Sequence, residues 1–255
     1  MPRIAFIDPV GPEGACPFLK EELEKIKRPE TGLEFVCLDR GPGHLEYRYY
    51  EALVIPDLLH TIKRLEKDGY DAAIIGCFYD PGLFAAREIT TRLVVTAPGE
   101  ASVILASTLG QRFSIIVGRE KWIPQIRENL AAYGFMDKLA SFKALGLGVF
   151  DFQADAATTL NKLKEKAREA VEGDGAEVVI LGCTMQFGFY AELQEDLGVP
   201  VVDPVISSFK YAEFLVELRD RFGWNTSKRF SFETPPLKEI KEWRMEEQYG
   251  VKGTW

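Results

Sequence analysis

The sequence predicts a parallel α/β protein built from two similar halves. Three observations carry that expectation. Short apolar runs alternate with longer amphipathic stretches along most of the chain, the pattern of strands joined by crossover helices. Two stretches nearly repeat one another: Asp-Gly-Tyr-Asp-Ala-Ala-Ile-Ile-Gly-Cys at 68–77 and Asp-Gly-Ala-Glu-Val-Val-Ile-Leu-Gly-Cys at 174–183. The likeness also extends beyond them. Arg3-Ile4-Ala5-Phe6-Ile7 resembles Arg112-Phe113-Ser114-Ile115-Ile116, and candidate strands beginning at 33 and 142 keep that same spacing. A nearly constant offset over three strands marks an internal duplication.

Taken from the N-terminus, the first strand is expected at 3–8, ending in Asp8-Pro9-Val10, with a helix at 17–26 and a strand at 33–38. A helix is expected at 46–67, interrupted and bent at Pro56 because proline lacks an N–H and crowds the preceding turn. A strand at 71–76 leads into Cys77, and then Asp80 and Pro81 suit the cap and first turn of a helix at 81–89. Strand 93–96 ends the first half and helix 99–109 opens the second. There, strands 113–118, 142–147, 177–182 and 200–202 alternate with helices 120–133, 152–172, 187–197 and 205–222. This gives one lobe of residues 1–98 plus 205–222 and another of 99–204. From 223 to 255 the pattern lapses into an appendage, with a charged stretch from Leu237 to Gln248 suited to a short helix. Phe230 and Phe232 are expected to pack on the body or on another subunit. Arg87 and Glu88 are expected to pair on a helix surface.

Composition narrows the function. A chain of 255 residues suits one large domain or two small ones, and 46% hydrophobic with 27% charged residues is ordinary for a globular protein. A net charge of −8 argues against a nucleic-acid partner or an anionic membrane surface. No apolar run reaches the roughly 18 residues of a membrane span. The N-terminus reads as a strand rather than a secretory signal. Four cysteines in a chain of this length do not form a disulfide framework, and the expected compartment is the reducing cytoplasm. The only histidines, His44 and His60, match no zinc spacing or local triad and are expected to be structural or solvent-facing.

Cys77 and Cys183 carry the chemistry. Ligands of parallel sheets bind beyond the carboxyl ends of strands, where both cysteines fall. Each is expected just ahead of a helix N-terminus, Thr184 serving as cap after Cys183; that placement lowers a thiol's pKa and attracts anions. Taken singly, each cysteine reads more readily as a small buried apolar residue at a strand end. Taken together, the duplicated Gly-Cys contexts suggest two thiols facing each other across one pocket. Racemisation beside a carbonyl requires a base on one face of the carbon and an acid on the other. A thiol, which ordinarily titrates at roughly 8.5, can be tuned to serve as either. Backbone N–H groups of Cys77, Phe78, Cys183 and Thr184 are placed to meet the charge that develops on the substrate oxygen. No metal and no organic cofactor is then required. Cys16 and Cys37 lack such a context and are expected to be structural.

With these residues in view, the chain resembles the aspartate/glutamate racemase superfamily, and within it hydantoin racemase. Cys77-Phe78-Tyr79-Asp80-Pro81-Gly82-Leu83 looks like the family's first cysteine region, together with Glu51-Ala52-Leu53 upstream. Leu181-Gly182-Cys183-Thr184-Met185 and Pro200-Val201-Val202-Asp203-Pro204 look like its second. The likeness spans roughly residues 3–220. It implies two flavodoxin-like lobes with parallel sheets, related by a pseudo-twofold, with the active site between them. It further implies Cys77 and Cys183 as paired acid and base, a small-molecule substrate, no cofactor and frequent oligomerisation. The candidate substrate-binding residues are Asp8, Pro9 and Val10 after the first strand, and Gly76, Phe78 and Tyr79 around the first cysteine. Gly118 follows the later strand, and Gly182, Thr184 and Met185 surround the second cysteine.

Two departures stand out. Hydantoin racemases usually carry Asn-Pro-Asn-Thr after the first strand, whereas this chain has Asp8-Pro9-Val10-Gly11, an Asp placement more like that of glutamate racemase. Where the family often has Thr-Thr, this chain reads Val117-Gly118-Arg119. Both changes remove hydroxyl and amide groups from the expected pocket. Asp8 has two readings, one tuning a thiol or meeting a substrate amine, the other capping the turn before Pro9. Phe78 and Tyr79 either wall the pocket or pack on the following helix. Other chemistries of the superfamily remain as alternatives, maleate-type cis–trans isomerisation above all, as does a non-catalytic small-anion-binding protein.

Overall fold

In the computed structural model, which describes residues 1–251, the strands form two four-stranded parallel sheets. The first contains β1 (Arg3–Asp8), β2 (Gly32–Cys37), β3 (Ala72–Ile75) and β4 (Val94–Thr96) in the order β2-β1-β3-β4. The second contains β5 (Phe113–Val117), β6 (Leu139–Ala144), β7 (Val178–Leu181) and β8 (Val201–Val202) in the order β6-β5-β7-β8. The second order repeats the first, as the duplication requires. Of the inner strands, Ala72–Ile75 and Val178–Leu181 are fully buried apolar runs, as expected of parallel strands covered on both faces. Equivalent registers recur too: Ile7 lies beside Ile75 in one sheet and Ile116 beside Leu181 in the other.

The helices are α1 (Phe18–Ile26), α2 (Arg48–Lys67), α3 (Leu83–Ile89), α4 (Pro98–Leu109), α5 (Ile123–Tyr133), α6 (Asp151–Ala154), α7 (Ala156–Arg168), α8 (Tyr190–Leu197), α9 (Pro204–Phe222), α10 (Leu237–Glu242) and α11 (Met245–Gln248). The helix expected at 46–67 forms as α2 and runs through Pro56. Its stripe of Val54, Leu58, Ile62 and Leu65 is buried, and that packing outweighs one missing hydrogen bond. The stretch expected as one helix at 152–172 is divided, because Asp155 leaves helical geometry and its side chain accepts the N–H of Thr158 to cap α7. A π-helical turn at Glu169–Gly173 follows. The helix expected from 187 begins only at Tyr190, after a 3-10 turn at Thr184–Gln186 and Gly188 with φ 87°. Strand β6 lies three residues earlier than the expected 142–147. The apolar run that suggested the later register still bonds to the sheet irregularly, Leu145 and Leu147 donating to Val117 and Gly118.

Two folded units result. One comprises Met1–Ile75, Pro81–Thr96 and the described residues from Phe209 to 251; the other comprises Gly76–Asp80 and Ala97–Ser208. Residues 76–80, placed by the sequence division in the first lobe, thus belong to the second unit. The first unit is pinned at the amino ends of its strands by Asp71. That carboxylate accepts the N–H of Arg3 at 2.8 Å and the guanidinium of Arg219 at 2.7 Å, and Arg219 also donates to the Asp71 carbonyl at 2.9 Å. In the second unit, Phe113, Ile115, Trp122 and Phe152 are buried in one apolar cluster.

The segment read as an appendage folds with the first unit. Phe232 lies 6.1 Å from Phe84, Lys228 donates to the carbonyls of Arg87 and Glu88, and Tyr249 lies 5.8 Å from His60. Phe230 remains exposed. The expected helix from Leu237 to Gln248 is two, divided at Arg244 with φ 53°. Residues 252–255 lie outside the described residues. Arg87 does not pair with Glu88; it donates to the carbonyl of Val95 at 3.1–3.2 Å, since neighbours in sequence do not face each other on a helix.

Candidate active site

Both cysteines stand two residues past the carboxyl ends of equivalent strands, Cys77 after β3 and Cys183 after β7. The turn that carries Cys77, residues 76–80, is fastened within the second unit at three points. The hydroxyl of Thr184 donates to the Gly76 carbonyl at 3.5 Å, and the amide of Asn129 donates to the Tyr79 carbonyl at 2.7 Å. The Asp80 carboxylate accepts the N–H of Gly99 at 2.8 Å, the N–H of Glu100 at 2.7 Å and the hydroxyl of Tyr133 at 2.7 Å. The Asp80 N–H closes the turn onto the Cys77 carbonyl at 2.9 Å. Burial pushes the Asp80 carboxyl up to about 7 against these hydrogen bonds.

Asp80 therefore does not cap the helix after it. Helix α3 starts behind Gly82, which has φ 66° and offers no side-chain cap, and the Asp80 carboxylate instead fills the N-terminus of α4. Nor does Cys77 sit directly ahead of a helix. Phe78 and Tyr79, candidates for a pocket wall, are buried within the apolar core of the second unit.

Cys183 is buried and heads the 3-10 turn Thr184–Gln186, its carbonyl accepting the Gln186 N–H at 3.0 Å. Thr184 was expected to cap here, but its hydroxyl reaches Gly76, joining the two cysteine turns. Gly182 donates to the Ile116 carbonyl at 2.8 Å, and a Cβ there would lie 2.8 Å from that oxygen, so this position requires glycine. The Met185 carbonyl accepts the Gln153 amide at 2.9 Å. Asp203 accepts the N–H groups of Val205 at 2.9 Å, Ile206 at 3.2 Å and Gly188 at 2.9 Å; burial raises its carboxyl to about 6.

The other candidates have mainly local tasks. Asp8, at the end of β1, is buried and accepts the Cys16 N–H at 3.0 Å, eight residues along the chain. Burial pushes Asp8 up to about 7; burial and the Asp8 charge push the Cys16 thiol up to about 11. Pro9 and Val10 are buried, and the Val10 carbonyl accepts the Leu38 N–H at 3.1 Å. Gly118 is dictated by packing, since a Cβ there would lie 2.4 Å from the Leu147 carbonyl and from the Trp122 ring. Cys37 is half-buried on β2. His60 is half-buried, and burial lowers its pKa.

Among the described residues, no group of three or more His, Cys, Asp or Glu side chains converges as a metal site would, and no helix is long and apolar enough to cross a membrane. A cavity of about 510 Å3 opens in the first unit beside Arg40, Asp57, His60 and Arg64, and neither cysteine lines it. Sequence reasoning missed Asn129, Tyr133 and Gly99, which hold the Cys77 turn. Each lies far from that turn in sequence, within unremarkable helical patterns.

Residues 4–212 match the family described as Asp/Glu/Hydantoin racemase. The chain is 36% identical over 242 residues to a hydantoin racemase of Paenarthrobacter aurescens, covering 93% of this chain and 99% of that one. It is 34% identical over 237 residues to a hydantoin racemase of Pseudomonas sp. (strain NS671), covering 93% of each. The fold is similar to that of the allantoin racemase from Klebsiella pneumoniae, with a TM-score of 0.85 and 29% identity over 92% of this chain and 94% of that one. The matching family, its relatives and the shared fold together define an isomerase acting as a racemase. The chain belongs to the Asp/Glu/Hydantoin racemase family.

Proposed function

We propose that the protein is a cofactor-independent racemase or epimerase in which Cys77 and Cys183 exchange the roles of base and acid. The substrate would be a small molecule with an acidic C–H beside a carbonyl, either a hydantoin-type ring or an amino-acid derivative. The observation that carries this reading is that both thiols follow equivalent strands of the duplicated fold within the same folded unit, their turns joined by the Thr184–Gly76 hydrogen bond. The relatives named hydantoin racemase and allantoin racemase support the ring as substrate class.

In one direction the Cys77 thiolate takes the proton from carbon, and the electron pair moves onto the carbonyl oxygen as an enolate. Backbone N–H groups of Cys77, Phe78, Cys183 and Thr184 meet that charge. The Cys183 thiol then delivers a proton to the opposite face and is left as the thiolate. The next turnover runs the other way, with the roles exchanged, and no atom is gained or lost overall. Asp8, Gly118 and Met185 would shape the pocket. The same reading places the enzyme in the cytoplasm as a homo-oligomer.

The test is α-hydrogen exchange in deuterium oxide followed by NMR, across a panel of hydantoins, amino acids and dicarboxylates. Wild-type protein should exchange the α-hydrogen of at least one compound and racemise it. Cys77→Ser and Cys183→Ser should each lose two-way racemisation by at least ~10³-fold while keeping exchange from a single face. Full turnover in both variants would overturn the mechanism, and a covalent thioether adduct would favour cis–trans isomerisation instead.

A further inference from the structure

We propose that Asp80 and Asp203 are paired positioning residues, each clamping one cysteine turn to the N-terminus of the helix that follows the neighbouring strand. The inference deepens the two-cysteine reading and rests on it.

The two clamps use the same backbone donors. Helix α4 begins Pro98-Gly99-Glu100 and helix α9 begins Pro204-Val205-Ile206. In each, the proline contributes no N–H and the next two residues present theirs to one buried carboxylate: Gly99 and Glu100 to Asp80, Val205 and Ile206 to Asp203. The carboxylates come from different places in the two halves. Before Pro204 stands Asp203, a local cap, whereas before Pro98 stands Ala97, whose methyl group cannot cap. The first half draws its cap from the cysteine turn itself.

Each aspartate also grips the turn it serves. Asp80 belongs to the Cys77 turn and donates its own N–H to the Cys77 carbonyl. Asp203 takes the N–H of Gly188, downstream of Cys183 in the same loop. Packing reinforces the first clamp. A Cβ at Gly99 would lie 2.6 Å from the Asp80 carboxylate and 2.8 Å from the Phe78 carbonyl, so the turn is seated on α4 with no room for a methyl group. Asp80 holds φ 51°, a region aspartate enters more readily than most residues but still at a cost, and its three side-chain bonds maintain it there.

The clamp bears on catalysis because the Cys77 turn grows out of β3, in the first unit, yet folds as part of the second. Its attachments therefore set where the first thiol stands relative to the second. A misplacement of about 1 Å can lower a rate by ~100-fold.

The test joins kinetics to peptide-resolved alkylation of the full-length enzyme by iodoacetamide over a pH series, with mass spectrometry reading each cysteine separately. Asp80→Asn keeps the shape but cannot accept all three hydrogen bonds. It should lower kcat by ~100-fold with KM little changed and shift the Cys77 alkylation rate by ~10-fold, leaving Cys183 near wild type. Asp203→Asn should do the converse. Tyr133→Phe, which removes one bond and leaves the helix cap intact, should give a smaller effect of the same kind. If Asp80→Asn folds poorly, Gly99→Ala, which crowds the clamp without removing it, should reproduce the Cys77-selective change. Alkylation rates that stay at wild type, or that move together for both cysteines in every variant, would overturn the proposal. These rates need no substrate. Absence of α-hydrogen exchange in wild-type enzyme would sink the racemase mechanism alone and leave the clamp to be decided by the alkylation pattern.

Discussion

Among single residues, three buried carboxyls share one electrostatic situation. Asp8, Asp80 and Asp203 all sit at strand ends or in turns, satisfied by N–H donors but deprived of water, and burial raises all three. A carboxyl near 7 when folded and 3.8 when exposed holds its proton more tightly in the native state. Its contribution to stability is complete below about pH 4 and is lost as pH climbs through 7. Asp8→Asn removes that titration while keeping an acceptor for the Cys16 N–H. It should reduce the loss of stability between pH 5 and pH 8 by on the order of 2–3 kcal/mol, read by urea unfolding at the two pH values. An unchanged pH dependence would mean that Asp8 is ionised in the fold. The position of Asp8 was legible, since an acidic residue at the end of a first strand stands out. Its partner Cys16 was not, because a backbone N–H leaves no mark in sequence.

Glycines decide how closely the elements approach. Gly118 lets the end of β5 pass beneath Trp122 and the Leu147 carbonyl, and Gly182 lets the end of β7 lie against Ile116. Both contacts are with backbone or a ring held in the core, which cannot swing away. Gly118→Ala should lower stability by about 1–3 kcal/mol, checked by thermal or urea unfolding. A neutral result would show that the 118 loop yields. Close packing accounts for glycine at both positions, which the sequence also marked as candidate pocket residues. Asp80 teaches a related lesson. Asp-Pro ahead of a helix is a sound capping signal, but the helix it caps is α4 rather than α3, since the turn folds as part of the second unit.

Across the molecule, the first unit depends on a residue near the end of its last long helix. Arg219, almost wholly buried, bonds both the carboxylate and the carbonyl of Asp71 and reaches the Arg92 carbonyl at 3.3 Å, tying α9 to the amino ends of the sheet. Arg219→Met keeps the volume but leaves Asp71 buried with fewer donors. It should cost about 3 kcal/mol in unfolding free energy. A loss below ~0.5 kcal/mol would mean that Arg3 and Arg92 suffice for Asp71. The tail beyond residue 223 also belongs here. Sequence marked it as different in pattern, and the structure lays Phe232 and Tyr249 on α3 and α2.

The parallel strands, their duplication and the two cysteines at strand ends could all be read from the amino-acid order. Those features are written in local periodicity and in residue types that recur at fixed spacing, so neighbours along the chain suffice to read them. Only folding settled which helix Asp80 caps, which unit the Cys77 turn joins and that Arg87 serves a strand carbonyl. Each of these turns on packing, or on hydrogen bonds between groups distant in sequence or belonging to the backbone. The energy of such contacts depends on where the chain has already brought them, not on the residues beside them.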